Sequence, residues 1–280
     1  MNSNFKSIKI FSVLIFGLII FQFFAVCLVS AAQVTTPNFI IIADDPAFAQ
    51  QVAQWAEYYR KQLAIEWLGK EMPNWAKPAV ITIQVGPNLG AGGATTFIFD
   101  RGEVFGWKMD IQGSKERIID SVLPHEISHM IFASHFRQPL PRWADEGASV
   151  SVERCSEKDK HRKALFDFLK TGRGIAFYQM FAMTEYPKDV IPLYAQGYSL
   201  AEFLIQNGGR RKYIEFLGDG MKSGNWDSAI QKHYGVKSGR ELQNTWLDWV
   251  KQGQPLKTPC KDPTEPKPLS CTKKCELRVV

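Results

Sequence analysis

The residues best suited to chemistry in this 280-residue chain are His125-Glu126-Ile127-Ser128-His129. They sit inside an apolar run of helical period, Ile118, Ile119, Val122, Leu123, Ile127, Met130 and Ile131. Residues four apart on a helix share a face about 6 Å apart along the axis, so both imidazoles reach one ion. Glu126 is turned about 100° from His125, which sets it beside the ion, where it can take a proton from bound water. A catalytic zinc takes a third protein ligand and keeps its fourth position for water. Two adjacent carboxylates in Pro141-Arg142-Trp143-Ala144-Asp145-Glu146-Gly147-Ala148-Ser149 are in range to supply it.

These two segments together resemble the gluzincin metallopeptidases, in which an HExxH helix is followed by a helix carrying a Glu ligand in a Trp-x-x-Glu-Gly context. Here that context is Trp143-Ala144-Asp145-Glu146-Gly147, and the resemblance selects Glu146 rather than Asp145. The likeness is nearest to the small exported peptidase MA-like domains. Leu193-Tyr194-Ala195-Gln196-Gly197-Tyr198-Ser199-Leu200 and a closing helix with Leu242, Trp246 and Trp249 are similar to segments of that group, so coverage is about residues 35 to 250. The resemblance implies one Zn2+ held by His125, His129 and Glu146, and a zincin-like fold with the metal in a cleft between two lobes. It implies peptide hydrolysis with Glu126 as general base. Tyr198, and after it Tyr194, is the candidate for a hydroxyl donated to the developing oxyanion. Two features depart from relatives: no Gly-Ala-Met-Glu-Asn-like exopeptidase motif precedes the helix, and Val150 stands where thermolysin-like members carry an Asp that orients a zinc histidine. Another group must orient His125 and His129.

Other candidates have plainer readings. His135, His161 and His233 read as surface groups. Gly86 to Ala94 is glycine-rich but lacks a Lys-Ser/Thr ending and leads into a strand, so it reads as a loop or a lip over the cleft rather than a phosphate cradle. Val104 to Ile111, just before the active helix, is the candidate sheet edge for an extended substrate, as in relatives.

The elements that must position these groups are legible from periodicity. Phe39 to Ala43 is a strand candidate, Asp44 or Asp45 can cap a helix begun by Pro46, and helical spacing runs from Val52 to Trp67, up to Gly69. Strands are expected at Ala79 to Val85, Thr95 to Phe99 and Val104 to Ile111. From Lys115 the period is helical, over 116–135, 142–153, 157–170, 192–206, 210–218, 226–234 and 239–251. The expected fold is therefore α+β: a small N-terminal mixed sheet with helices, then a mainly helical lobe. Pro124 removes a hydrogen bond to the Asp120 carbonyl, so either Ser121 caps a fresh start or the helix bends there.

Residues 1–32 read as an export signal or signal anchor, since Lys6 and Lys9 precede an acid-free apolar run from Ile10 to Val29 and Ala31-Ala32 offer a cleavage site. Cys27 lacks the small residue and Leu that a lipidation signal favours before it. Residues 33–251 form the expected catalytic domain, and 252–280 a Pro/Lys/Cys-rich extension. The chain has 34 basic and 28 acidic residues, but those of residues 33–250 balance, 25 of each, so the net +6 lies in the two ends. A basic groove for nucleic acid has no support in the body, and the tail is the only candidate for anionic partners. Cys155, Cys260, Cys271 and Cys275 suit disulfides in an exported protein, one bridge joining the tail to Cys155 and one within the tail. The expectation is an exported, periplasmic or extracellular zinc peptidase. Its partners are a peptide or protein substrate, no nucleic acid, and a membrane only through a retained N-terminal anchor, and it acts as a monomer. The rival is an envelope or surface interaction protein that binds zinc without turnover.

Overall fold

The structure is a computed structural model and describes residues 31–262 and 277–279. The apolar N-terminal run with Cys27, and the tail cysteines Cys271 and Cys275, lie outside the described residues. The first part is a mixed sheet. Strands β1 (Ala32–Thr35), β2 (Phe39–Ala43), β3 (Ala79–Val85), β4 (Gly92–Asp100), β5 (Glu103–Gly113) and β6 (Leu277–Val279) lie in the order β4-β5-β3-β2-β1-β6. The pairs β2–β3 and β3–β5 are parallel, and the other three are antiparallel.

Helix α1 (Pro46–Leu68) makes the crossover between β2 and β3. Asp45 caps it by accepting from the amides of Ala47 and Phe48, Pro46 opens it, and Gly69 at φ 75° closes it. Its buried stripe of Val52, Trp55, Ala56, Tyr59, Leu63 and Trp67 covers the sheet and reaches the helical part. Strands β4 and β5 meet at Arg101-Gly102, where both residues have positive φ, as a two-residue turn matched to strand twist requires. The glycine-rich segment is shorter than its composition suggests, because Gly92 to Ala94 already pair with β5. The sheet order also corrects the expected substrate edge. From Lys108 onward β5 is paired on both sides, with β3 and β4, and the edge strand on this side of the sheet is β4.

The helical part begins with α2 (Lys115–Arg117), a π-helical turn over Ile118–Val122, and α3 (Leu123–Phe136). The turn resolves the irregularity at Pro124 without a cap or a break. The Leu123 amide bonds to the Ile118 carbonyl five residues back, and the Ser121 hydroxyl donates to Asp120 Oδ1 at 2.7 Å instead of capping. Then follow α4 (Arg142–Val150), α5 (Cys155–Lys170), α6 (Phe177–Phe181), α7 (Ile191–Ser223), α8 (Trp226–Tyr234) and α9 (Gly239–Lys251). Helix α7 merges two expected segments across a break at Gly209, whose φ of 80° and ψ of 165° are not helical. Short β1, β6 and α6 had no sequence expectation.

Helix α4 is buried from Trp143 to Val150, with Trp143 packed on Phe181 and Tyr213. It crosses α7 at Gly147 and Gly197: a Cβ at Gly147 would lie 2.3 Å from the Gly197 carbonyl oxygen, and one at Gly197 would lie 2.6 Å from that of Trp143. The tail beyond α9 docks on the body as well. Cys155 and Cys260 form a disulfide, Ser199 Oγ donates to Gln254 Oε1 at 3.0 Å, and the Lys257 amide donates to Gln206 Oε1 at 2.8 Å. No helix among the described residues is long and apolar enough to cross a membrane.

Candidate metal centre

His125 and His129 stand one turn apart on α3, just past the π turn, and Glu146 projects from the middle of α4. Their ligand atoms all lie within 4.8 Å of one another, so the three could hold a metal ion. The Nε2 atoms face Glu146 Oε2, at 3.4 Å from His125 and 3.8 Å from His129. Each Nδ1 is engaged from behind: His125 Nδ1 donates to Glu153 Oε1 at 2.6 Å, and His129 Nδ1 to Asp145 Oδ1 at 2.8 Å. An ionised carboxylate only accepts, so these bonds put a proton on each Nδ1 and turn each Nε2 toward Glu146, where a bound cation would take the place of the Nε2 proton.

Glu146 Oε2 is buried and has no hydrogen-bond partner among the described residues. Such an orphan costs about 1–3 kcal/mol, more when charged, and a cation shared with two imidazole lone pairs removes the deficit. The donor set of two imidazoles and one carboxylate therefore fits a divalent metal. The electrostatics of the bare protein agree. Burial would raise the Glu146 carboxyl, but the imidazoles of His125, first, and His129 beside it hold it down to about 2. Burial would lower His129, yet the charge and hydrogen bond of Asp145 lift it to about 9, while Glu146 and Glu153 lift His125 well above its ordinary value against the same burial.

Glu126 is buried beside this group at the foot of β4, where Thr95 Oγ1 donates to its Oε2 at 2.7 Å. Gly93 gives it room, since a Cβ there would lie 2.7 Å from Glu126 Oε1. The ligands, Glu126, the strand segment 91–95, Arg117, Arg142, His161, Tyr186 and Tyr194 line one cleft of about 650 Å³.

The two tyrosine candidates separate. Tyr194 lines the cleft, and burial with the nearby charge of Glu146 raises its phenol. Tyr198 is 1% exposed and outside the cleft lining, its phenol among Arg162 and Glu202. Sequence reasoning did not single out Tyr186, whose hydroxyl donates to Glu146 Oε1 from the loop between α6 and α7. Nothing in its spacing could have marked it. Of the remaining histidines, His135 is exposed as expected, but two are corrected: His161 lines the cleft 6.2 Å from the Tyr198 ring, and His233 has an 8% exposed side chain bound to Asp219 at 2.6 Å. Helical period on α5 and α8 cannot say which neighbour covers a half-polar face.

Compared with known proteins, the chain matches no family model and no curated protein.

Proposed function

We propose that this chain is an exported, single-zinc peptidase of gluzincin type. The observation that carries the reading is the convergence of two imidazole Nε2 atoms and a buried, partnerless carboxylate oxygen, with a second carboxylate, Glu126, beside them in an open cleft. His125, His129 and Glu146 would hold the metal. Bound there, zinc supplies a Lewis acid for a carbonyl and an acidified water near neutral pH. Glu126 would be the general base, holding a proton and passing it to the leaving nitrogen, with Thr95 fixing its carboxylate through one oxygen. Tyr194 is the better-placed of the two proposed oxyanion donors. Edge strand β4 offers unpaired backbone groups next to Glu126, so an extended peptide can add to the sheet there and be read through its main chain. The Cys155–Cys260 disulfide supports an oxidising, exported setting.

Metal analysis and peptide digestion of the purified chain test this reading. One zinc per chain is expected, lost in His129→Ala and retained in Glu126→Gln, with hydrolysis reduced about 10²–10⁴-fold or more in the latter. Zinc bound without hydrolysis of any peptide library would favour the non-catalytic rival. Hydrolysis that survives chelation would remove the assignment.

A further inference from the structure

Nearly every charge in the cleft is matched inside it. Asp145 and Glu153 hold the two histidines, Glu126 accepts from Thr95, and Glu146 accepts from Tyr186. Arg117 lies 2.7 Å from Glu157. Arg142 differs: among the described residues no carboxylate comes within the roughly 4 Å of an ion pair.

Its guanidinium is nonetheless held in place. Nε donates to the Thr184 carbonyl at 3.2 Å, and the central carbon lies 4.4 Å from the centre of the Tyr186 ring. These contacts use one nitrogen and one face, and leave the two terminal amino groups, which form the fork that grips a carboxylate end-on. Arg142 and Glu146 are four apart on α4 and share a face. Tyr186 spans them, its hydroxyl on Glu146 and its ring under Arg142. The cation thus stands about one tyrosine side chain from a proposed metal ligand. An extended peptide covers about 3.3–3.6 Å per residue, so a carboxylate one or two residues from a bond cut at the metal would reach it.

We propose that Arg142 is a specificity-determining residue that binds a carboxylate carried by the substrate within one or two residues of the scissile bond. The inference rests on the peptidase reading and adds the substrate class: peptides with a nearby C-terminal carboxylate, or with an acidic side chain at that distance. The two sources share one chemistry and differ in what abolishes it.

The test is a peptide series cut at one bond, with a free C-terminus, a C-terminal amide, and Glu exchanged for Gln one and two residues from the cut. The wild type is expected to favour one carboxylate member about 10- to 100-fold in kcat/KM over its neutral twin, and Arg142→Gln to bring that ratio near one. Free acid against amide identifies a terminal carboxylate, and Glu against Gln an acidic side chain. A purely structural role for Arg142 would slow all members alike and leave the ratio intact. A flat ratio in the wild type, or one that survives Arg142→Gln, overturns the proposal while leaving the peptidase reading standing. Anisotropy of the same labelled peptides on Glu126→Gln, with and without Arg142→Gln, reads the preference without turnover. If no peptide is cut but acid-selective binding is present and depends on Arg142, the subsite stands and the peptidase reading falls.

Discussion

At the scale of single residues, the site is a set of donors held from behind. Asp145 and Glu153 fix the tautomers of His129 and His125, and such outer partners are worth about 10–100-fold in metal affinity. If the proposed zinc is bound, Asp145→Asn and Glu153→Gln are each expected to weaken its binding by that factor, read by competition with a chelator, while the fold survives. On the proposed peptidase reading, Gly93→Ala should act on the proton held by Glu126 instead. The new Cβ would lie 2.7 Å from Glu126 Oε1 and 2.9 Å from its Cδ, so the carboxylate must shift, and a misplacement near 1 Å costs about 10²-fold in turnover. A fall in kcat at unchanged zinc content is expected; a matching loss of zinc would mean that Gly93 supports the ligands instead. The two histidines were legible because four-residue spacing on a helix states geometry by itself. Asp145 was visible only as the rejected neighbour of Glu146, although a turn of about 100° along α4 aims it at the back of His129. Glu153, Thr95 and Tyr186 could not be read, since each reaches the site from an element whose position depends on the packed fold.

At the scale of elements, the placement of Glu146 depends on how closely α4 approaches α7. Gly147 meets the Gly197 backbone with no room for a methyl group, and backbone cannot rotate away as a side chain can. Gly147→Ala is expected to destabilise by about 1–3 kcal/mol and to reduce zinc affinity, because the displaced residue adjoins the ligand. Gly218→Ala, on α7, is the control. There the nearest atom to a new Cβ is Phe136 Cε1 at 3.7 Å, so helix propensity should dominate and stabilise by about 0.5–1 kcal/mol. Thermal melts of the pair should move in opposite directions. The joint of α7 and α8 carries a pH dependence. Asp219 accepts from Lys232 and His233, each at 2.6 Å, and the Lys232 bond first, then that of His233, hold its carboxyl below the ordinary value. A lowered carboxyl contributes stability above the unfolded pKa of about 3.9, lost as pH falls through the folded value. Asp219→Asn should therefore flatten the acid limb of the melting profile, read as Tm against pH below about 5. Long periodic helices and the parallel strands were legible because burial repeats along them. Four-residue β1, three-residue β6 and five-residue α6 hold too few turns or alternations to show a period, and β6 depends on β1 across the whole chain.

At the scale of the whole molecule, one covalent bond ties the segment after α9 to the turn that supports the candidate metal site. Cys155 and Cys260 are 105 residues apart in sequence, and a loop near that length lowers the entropy of the unfolded chain by about 4–5 kcal/mol at 25 °C in the chain-entropy account, with about 2–4 kcal/mol the usual measured effect. The native geometry adds a second consequence. The Cys155 amide donates to Asp262 Oδ1 at 2.8 Å, and Arg154 reaches Asp262 at 3.6 Å, Asp120 at 2.9 Å, and Glu116. Those contacts fix residues 151–155, where α4 has ended at Val150 and the chain turns Glu153 toward His125. An exchange of both cysteines for serine should lower Tm by roughly 5–15 °C, taking about 2–4 °C per kcal/mol for a domain of this size. It should also weaken zinc binding, but less than Glu153→Gln does, because the carboxylate is still present and only its support is looser. Reduction of the native protein should reproduce both effects, and reoxidation should reverse them. A Tm drop with zinc affinity unchanged would limit the disulfide to the unfolded chain. No change in either quantity would show that the tail contributes neither to stability nor to the placement of Glu153.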